Sequence, residues 1–250
     1  MSHDPDDRLD GRLALVTGAG SGIGRAVAER LARSGAHVLL VGRSPEALES
    51  VAATIRQQGG QASSQPADIT SPQDREALRT AVERGPAGRH AGLHVLVHSA
   101  GAYSAGRIAD VDPGRLEELL AVNTIAPLAL TRGLLPMLRR APGDVVFVNS
   151  SVVQRSAGGV AHYAATKHAL RGIADALRDE VNAEGVRVLS VYAGRTATPM
   201  QEQIFDGEQR PYRPERLLQP EDVARIVVEA ISLARTAELT ELFIRPNMKS

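Results

Sequence analysis

The sequence predicts a single α/β domain built on a doubly wound parallel sheet, and three observations support this prediction. Short apolar runs alternate along the chain with segments whose apolar residues recur at helical spacing. The apolar runs are continuous, which is typical of strands that helices cover on both faces of a sheet. The 250 residues contain no internal repeat and no long low-complexity linker, so one domain is favoured over two small ones.

The first four elements follow from apolar runs and capping residues. Residues 13–17 form a short apolar run directly before glycines, which predicts a buried strand. Residues 23–33 have helical spacing, and residues 38–41 form a second apolar strand. Ser44 stands before Pro45, and a capping serine before a proline at the first helical position indicates the start of a helix. That helix is expected to end at the following pair of glycines.

The middle elements repeat the same signals. A strand is expected near residues 61–67, and Ser71 before Pro72 indicates the start of the next helix. The apolar run of residues 93–97 predicts a strand, and residues 115–139 have a mostly helical pattern. The alternation of strand and helix therefore continues through the centre of the chain.

The last five predicted elements complete the alternation. Residues 144–149 and 186–192 form apolar runs and are predicted strands. Between them, residues 163–184 carry one apolar stripe at helical spacing, which predicts a long helix. Residues 220–234 show a similar stripe, and residues 241–244 form a last short strand.

The composition excludes several functional classes. The chain has 29 basic and 29 acidic residues, so it has no global electrostatic reason to bind nucleic acid or anionic lipid. It has no cysteine, which excludes disulfides, thiolate metal sites and a cysteine nucleophile. His98, His162 and His168 do not have the spacing of a common metal site, so no metal is expected.

The ends of the chain and its most apolar stretch favour a cytoplasmic protein. Residues 1–10 are polar and acidic, with no apolar segment of a signal peptide, and are predicted to be a frayed tail before a domain over residues 11–250. The most apolar long stretch, residues 125–138, is interrupted by Pro127 and Pro136. No uninterrupted run approaches the length of a membrane span.

The glycines after the first predicted strand form a candidate phosphate loop. Gly18, Gly22 and Gly24 fit the spacing G-x-x-x-G-x-G and not the more familiar G-x-G-x-x-G. In a doubly wound fold this turn is where a dinucleotide pyrophosphate meets a helix N-terminus. Glycine is needed there because a Cβ atom would block close approach to the phosphates. The alternative interpretation is an ordinary glycine-rich turn.

Tyr163 and Lys167 form a candidate catalytic pair. They are four residues apart at the start of a predicted helix, so they share one face. A nearby cation favours the phenolate and would lower the pKa of the tyrosine toward catalytic use. The chain has only two lysines, the other being Lys249, and otherwise uses arginine. The alternative is a solvated pair of side chains on a helix.

Together these motifs resemble the short-chain dehydrogenase/reductase superfamily in its compact branch of about 250 residues. The resemblance covers residues 12–246, and its motifs are Thr17-Gly18-x-x-x-Gly22-x-Gly24, Ser99-Ala100-Gly101, Asn123, Ser151 and Tyr163-x-x-x-Lys167. It implies a single Rossmann-type domain with about seven parallel strands and helices on both faces. It also implies a nicotinamide cofactor, and hydride transfer between an alcohol and a carbonyl group.

The resemblance assigns roles to the catalytic candidates. It implies that Tyr163 is the general acid/base and that Lys167 lowers its pKa and holds the nicotinamide ribose. It implies that Ser151 holds and polarises the substrate carbonyl and that Asn123 holds a water of the proton relay. Ser150 is the alternative serine, because it precedes Tyr163 by the usual thirteen residues and Ser151 by twelve.

Further residues are expected at the cofactor. The resemblance places Asp68 at the adenine ring and Thr198 at the carboxamide. The predicted cofactor-binding set is Gly18, Ser21, Gly22, Ile23, Gly24, Arg43, Asp68, Ile69, Ser99, Ala100, Gly101, Tyr163, Lys167, Gly194, Thr196 and Thr198. Gly42 removes the acidic residue that would favour NAD after the second strand, and Arg43 can bind a 2′-phosphate, so NADP(H) is expected and NAD(H) is the alternative.

Three departures from the family pattern stand out. The family's Asn-Asn-Ala-Gly begins with His98, and its Pro-Gly after the sixth strand reads Ala193-Gly194. The frequent C-terminal Thr-Gly…Asp-Gly-Gly is missing.

The residues expected near a substrate are Tyr103, His162, Tyr192 and Arg195.

The predicted function is an NADP(H)-dependent oxidoreductase acting on a ketone or secondary alcohol, and residues 199–219 are expected to form a lid over the substrate. The alternative function is a catalytically silent NADP(H)-sensing protein of the same fold, which would have no need of a proton donor. The expected partners are a small-molecule carbonyl or alcohol and further copies of the chain, as a homodimer or homotetramer. No nucleic acid or membrane partner is expected.

Overall fold

Seven parallel strands form one sheet in this computed structural model, which describes residues 9–85 and 92–248. The strands are β1 (Leu13–Thr17), β2 (His37–Gly42), β3 (Gln61–Pro66), β4 (Val95–His98), β5 (Asp144–Ser150), β6 (Arg187–Ala193) and β7 (Glu241–Ile244). Their order across the sheet is β3-β2-β1-β4-β5-β6-β7. The order reverses between β1 and β4, and such a switch point opens a crevice at the carboxyl ends of the strands.

The connections between the strands are helical. The helices are α1 (Gly22–Arg33), α2 (Pro45–Gln57), α3 (Pro72–Arg84), α4 (Pro113–Leu120), α5 (Ala126–Arg140), α6 (Ala161–Val181), α7 (Pro199–Gly207) and α8 (Pro220–Ile231). The two serine caps are confirmed, because Ser44 Oγ accepts from the Ala47 amide and Ser71 Oγ from the Asp74 amide, each at 3.2 Å. Proline at the first position of α2 and α3 costs no hydrogen bond, since that amide would have no partner inside the helix.

Two apolar layers, one on each face of the sheet, confirm the doubly wound prediction. On one face Val27 of α1 and Val227 of α8 pack in the same buried cluster as Val16 of β1. On the other face, Leu134 of α5 and Leu170 of α6 belong to a second buried cluster. Burial of each such side chain contributes roughly 1.5–3 kcal/mol, so the continuous apolar strands are explained by a covered sheet.

The long helical segment predicted over residues 115–139 is interrupted by an irregular turn. Residues Ala121–Ile125 wind as a π-helix between α4 and α5. The whole segment, Pro113–Arg140, is long and apolar enough to span a membrane by length and composition. In this fold 44% of its apolar window is buried inside the protein, as expected for a helix that packs on a sheet.

Several predicted boundaries shift by one to three residues at the ends of elements. The strand expected over residues 93–97 is observed at Val95–His98, and the helix expected from residue 163 begins at Ala161. Residues 1–8 of the predicted tail lie outside the described residues. Leu9, within the same predicted tail, is 1% exposed, and its amide donates to the Ser34 carbonyl at 3.0 Å.

Candidate active site

A cavity of about 920 Å³ lies at the carboxyl ends of the strands. It collects every predicted site residue except Asn123, although those residues come from seven separate parts of the chain. They are Gly18, Ser21, Gly22, Ile23, Gly24, Arg43, Asp68, Ile69, Ser99, Ala100, Gly101, Ser151, Tyr163, Lys167, Gly194, Thr196 and Thr198. The alternative serine, Ser150, also lines the cavity.

The glycine loop between β1 and α1 has no room for side chains. A Cβ atom on Gly18 (φ +67°) would lie 2.8 Å from the Ala100 amide nitrogen, and one on Gly24 would lie 2.3 Å from the Gly18 carbonyl oxygen. Ser21 caps α1 without a side-chain hydrogen bond to the helix. The first-turn amides of α1 therefore keep their donor capacity at the cavity, which fits the phosphates of a dinucleotide.

Tyr163 stands in the cavity wall beside Ser150. The Ser150 side chain acts on the Tyr163 hydroxyl and works to lower its pKa. Lys167, one turn further along α6, lies with its Nζ atom 5.9 Å from the centre of the tyrosine ring and donates to the Val148 carbonyl at 3.5 Å. Tyr103 packs its ring edge-to-face against Tyr163, with 5.0 Å between the ring centres.

The two candidate serines differ in position. β5 extends to Ser150, and a 3-10 turn begins at Ser151. Ser150 also caps this turn by accepting from the Val152 amide at 3.2 Å. Both serines line the cavity, and Ser150 acts on the pKa of Tyr163. The role expected for Ser151, with Ser150 as the alternative, stays a prediction.

Burial dominates the electrostatics of the pair. It raises the pKa of Tyr163 to about 12, and the hydrogen bond from Ser150 opposes this shift. Burial also lowers the pKa of Lys167 to about 8. The lysine is not among the residues that shift the tyrosine pKa, and the loss of water around the phenolate is the largest cause of the shift. At neutral pH the tyrosine holds its proton and can donate it.

Asn123 lies behind the cavity wall and connects two segments of this wall by hydrogen bonds. Its side-chain oxygen accepts from the Ala102 amide at 2.8 Å, and its Nδ2 donates to the Ala102 carbonyl at 2.9 Å. Nδ2 also lies 3.1 Å from Thr166 Oγ1, next to Lys167 in α6. The π-helical turn that carries Asn123 thus connects the loop after β4 with α6. The predicted role in holding a water stays a prediction.

His98, which replaces the family's first asparagine, is a buried support of the sheet. Its Nε2 atom is 2.8 Å from Thr131 Oγ1 on α5, and its ring stacks on Phe147 at 4.9 Å. Burial lowers the pKa of His98 to about 3, so the ring is neutral. The substitution keeps a polar link between β4 and the helix that covers it.

The far end of the cavity carries Arg43 and Asp68. Asp68 accepts from the amide and hydroxyl of Thr70, at 2.9 and 2.7 Å, which lowers its pKa with a small contribution from Arg43. Arg43 is exposed, lines the cavity and makes no hydrogen bond within residues 9–85 and 92–248. Its guanidinium is therefore free to bind a ligand.

The predicted lid over residues 199–219 contains α7 and a 3-10 turn, Pro214–Arg216. Arg195 donates to both carboxylate oxygens of Glu208, at 2.7 to 3.0 Å, and so ties the end of α7 to the loop after β6. Phe205 is buried between Arg195 and Arg210, whose guanidinium carbons lie 4.8 and 5.2 Å from its ring centre. The lid is thus a packed element.

The expectations for the substrate end are partly correct. Tyr103 and Arg195 line the cavity as predicted. Tyr192 does not, because it is fully buried and stacks on Phe243 at 4.3 Å. His162 is also buried outside the lining, since it lies on the inner face of α6.

Some lining residues carried no signal in the sequence. Arg155, Gln201 and Glu208 are ordinary loop or helix residues by pattern, and only the folding of two distant segments over one cavity brings them together.

The comparisons with known proteins agree with this geometry. The family model described as short chain dehydrogenase matches residues 12–209. A fatty acyl-CoA reductase from Acinetobacter baylyi is 35% identical over 90% of this chain and 74% of its own length. A glycine betaine reductase from Emericella nidulans is 33% identical over 98% of this chain, which spans only 19% of that protein.

Solved structures add the cofactor class. A short chain dehydrogenase from Escherichia coli CFT073 in complex with NADPH is 30% identical, with a TM-score of 0.86 over 96% of this chain and 99% of its own. The glycine loop, the free first-turn amides of α1 and the long cavity fit such a dinucleotide. With a family match over most of its length, this chain belongs to the short-chain dehydrogenase family and is an NAD(P)-dependent oxidoreductase that acts on alcohol and carbonyl groups.

Proposed function

We propose that this protein interconverts a ketone and a secondary alcohol with NADP(H), using Tyr163 as the general acid/base. The observation that carries the proposal is that Tyr163, Ser150 and Lys167 meet in the wall of one cavity, with Lys167 one turn of α6 beyond Tyr163. A hydroxyl donor, a second hydroxyl and a buried cation meet where a carbonyl oxygen can be held and protonated.

The cavity residues would hold the cofactor in an extended arrangement. Asp68 and Ile69 would meet the adenine, the Gly18–Gly24 loop the pyrophosphate, and Gly194, Thr196 and Thr198 the nicotinamide. Lys167 would donate to the nicotinamide ribose. The bound reduced nicotinamide supplies a hydride to the carbonyl carbon.

In the direction of reduction, the protein's part is to hold the carbonyl oxygen and deliver a proton. Ser150 donates a hydrogen bond to this oxygen, and the Tyr163 hydroxyl transfers its proton to it as the alkoxide forms. The pKa of Tyr163 near 12 keeps the proton in place at neutral pH. Lys167, still largely protonated below its pKa of about 8, then stabilises the resulting phenolate. Through its hydrogen bonds, Asn123 fixes the position of the loop after β4 relative to α6.

The test is NADPH oxidation with a panel of ketones and aldehydes. The names of the two relatives add a fatty acyl-CoA and glycine betaine to that panel. We expect Tyr163→Phe to lower turnover at least about a hundredfold, the usual weight of general acid catalysis, with little change in NADPH affinity. Tyr212→Phe is the matched control, because Tyr212 packs on Phe205 outside the cavity lining.

Two outcomes would contradict the mechanism. Near-normal activity of Tyr163→Phe would exclude Tyr163 as the proton donor. Tight NADPH binding by the wild type without oxidation of any substrate would favour the alternative, a silent NADP(H)-sensing protein.

Arg43 supports the preference for NADP(H). A guanidinium can meet a 2′-phosphate with charge-assisted hydrogen bonds, which contribute roughly 1.5–3 kcal/mol, or about ten- to a hundredfold in affinity. Calorimetric titration of both cofactors should show that preference, and Gly42→Asp with Arg43→Ala should reverse it. Equal affinities in the wild type would assign Arg43 to the solvated surface.

We further propose that the enzyme is cytoplasmic, takes a small-molecule substrate and forms a homodimer or homotetramer. Light scattering on the purified protein tests the assembly, and fractionation of cells tests the location. A monomer at micromolar concentration, or recovery with membranes, would contradict the corresponding proposal.

A further inference from the structure

Arg155 is a cation without a partner at the substrate end of the cavity. It lies in the segment that joins Ser151 to Tyr163, and its side chain lines the cavity. Within residues 9–85 and 92–248 it makes no hydrogen bond and no ion pair. A guanidinium carries five donors in a planar fork, so Arg155 has its full capacity to bind a ligand.

The neighbouring charges do not neutralise Arg155. Asp68 and Glu208 are the acidic residues among the described lining. Glu208 already accepts from Arg195 at 2.7 to 3.0 Å and from Arg210 at 3.1 Å. Asp68 follows β3, four strands away from β5, and is occupied by Thr70. The substrate end therefore has an excess of positive charge.

The segment that carries Arg155 is held in place from both sides. The Gly106 amide donates to the Gly159 carbonyl at 2.8 Å, which fastens the segment to the loop of Tyr103. Ser156, the next residue after Arg155, has its hydroxyl 3.4 Å from His168 Nε2 on α6. Arg155 is thus presented by an anchored backbone.

From these observations we infer that the substrate carries a carboxylate in addition to its reactive carbonyl, and that Arg155 binds this carboxylate. The inference rests on the proposed function, because it assigns the substrate class of the same site. A guanidinium and a carboxylate form two parallel charge-assisted hydrogen bonds, which orient the substrate as well as attract it. A neutral ketone of equal length would lose this contact.

The test compares keto acids with their methyl esters. The probes are 4-oxopentanoate, 5-oxohexanoate and 6-oxoheptanoate, each beside its ester, with NADPH and the wild-type enzyme. We expect kcat/KM for the best keto acid to exceed that of its ester by about ten- to a hundredfold. Arg155→Gln should abolish this preference and leave the ester unchanged within about twofold. Arg225→Gln, an exposed arginine of α8 outside the cavity lining, is the matched control.

Binding measurements keep the result independent of turnover. Calorimetry with the NADP⁺-loaded protein gives Kd for each keto acid and ester, and equal values in the wild type would overturn the inference. A loss of NADPH affinity in Arg155→Gln would also overturn it, because Arg155 would then be a cofactor contact. Absence of turnover for every ketone, with carboxylate binding that depends on Arg155, would contradict the proposed reaction and support the inferred subsite.

Discussion

The buried charges at the two ends of strands β5 and β6 differ. Those at the amino ends form ion pairs, whereas the one at the carboxyl ends forms none among the described residues. At the amino ends Asp144 faces Arg187 across the ladder, with Arg187 Nε 2.7 Å from the carboxylate. Arg187 also donates to four carbonyls at and beyond the end of α8, and Arg235 reaches the same carboxylate at 3.1 Å. At the carboxyl ends Lys167 is equally buried, with one long contact to a carbonyl and no ion pair with an acid among the described residues.

This difference distinguishes buried charges that hold the fold together from a buried charge that is available for chemistry. Burial raises the pKa of Asp144 although two arginines surround it, so desolvation is costly at this end too. There the cost is offset by a saturated set of hydrogen bonds. At Lys167 nothing offsets it, and the lysine pKa falls to about 8. The amino end holds β5, β6 and α8 together, whereas the carboxyl end keeps a charge available for a ligand and a phenolate.

The largest effect is expected at the amino end. Arg187→Met should lower the free energy of unfolding by about 3–5 kcal/mol, because it leaves Asp144 buried without its main partner. Urea denaturation measures the loss. The activity of the protein that remains folded should stay close to that of the wild type.

The double variant Asp144→Leu with Arg187→Met is the control for this prediction. It removes the unpaired charge and should recover much of the lost stability. A loss below about 1 kcal/mol in the single variant would mean that the pair does not anchor this end.

At the carboxyl end, Ser150→Ala should lower kcat by about 10²–10³, the usual cost of removing one donor to a developing oxyanion. Ser151→Ala should cost much less, because Ser150 is the serine that acts on the pKa of Tyr163. Steady-state kinetics of both variants with the best ketone decides between them. A larger loss for Ser151→Ala would restore Ser151, the serine that the family resemblance favoured.

The smallest expected effect is the change in the free energy of unfolding when Lys167 is replaced. Its sign is opposite to that expected for the replacement of Arg187. The folded pKa of about 8 lies below 10.5, so the buried cation destabilises the fold at neutral pH by as much as about 3 kcal/mol. Lys167→Met should therefore be more stable than the wild type at pH 7. Between pH 8 and 10.5 the folded protein has lost a proton that the unfolded chain still binds, so the wild type gains stability and the gap narrows.

Denaturation of both proteins across this pH range checks the prediction, since other titrating groups cancel in the difference. A difference in the free energy of unfolding between the two proteins that stays constant or widens with pH would contradict the prediction. The same variant should bind NADPH more weakly, because it loses the contact proposed for the ribose.

Local patterns in the sequence predicted most of the fold and most of the site. The apolar runs became β1, β2 and β4 to β7, and Ser44 and Ser71 became helix caps, because burial and capping depend on neighbouring residues. The glycine loop and the pairing of Tyr163 with Lys167 were equally visible, since their spacing is short. These features need only a few consecutive residues to be specified.

Other features depended on contacts between distant segments. The choice between Ser150 and Ser151 depends on where β5 ends relative to α6, one residue beyond what a motif can resolve. The raised pKa of Tyr163 depends on how much water the surrounding loops exclude. Tyr192, expected near the substrate, is instead buried in the core, where its ring stacks on Phe243.

By itself, the sequence determined the strands, the helix starts, the phosphate loop and the tyrosine–lysine pair, because each is written in residues that are neighbours along the chain. Only the tertiary structure decided that Arg187 pairs with Asp144 and that Arg155 stands unpaired in a cavity. Both are arginines of unremarkable context, and whether an arginine is neutralised depends on which acids the fold brings within about 4 Å of it. That distance is set by the packing of whole elements and is not encoded in any short stretch of sequence.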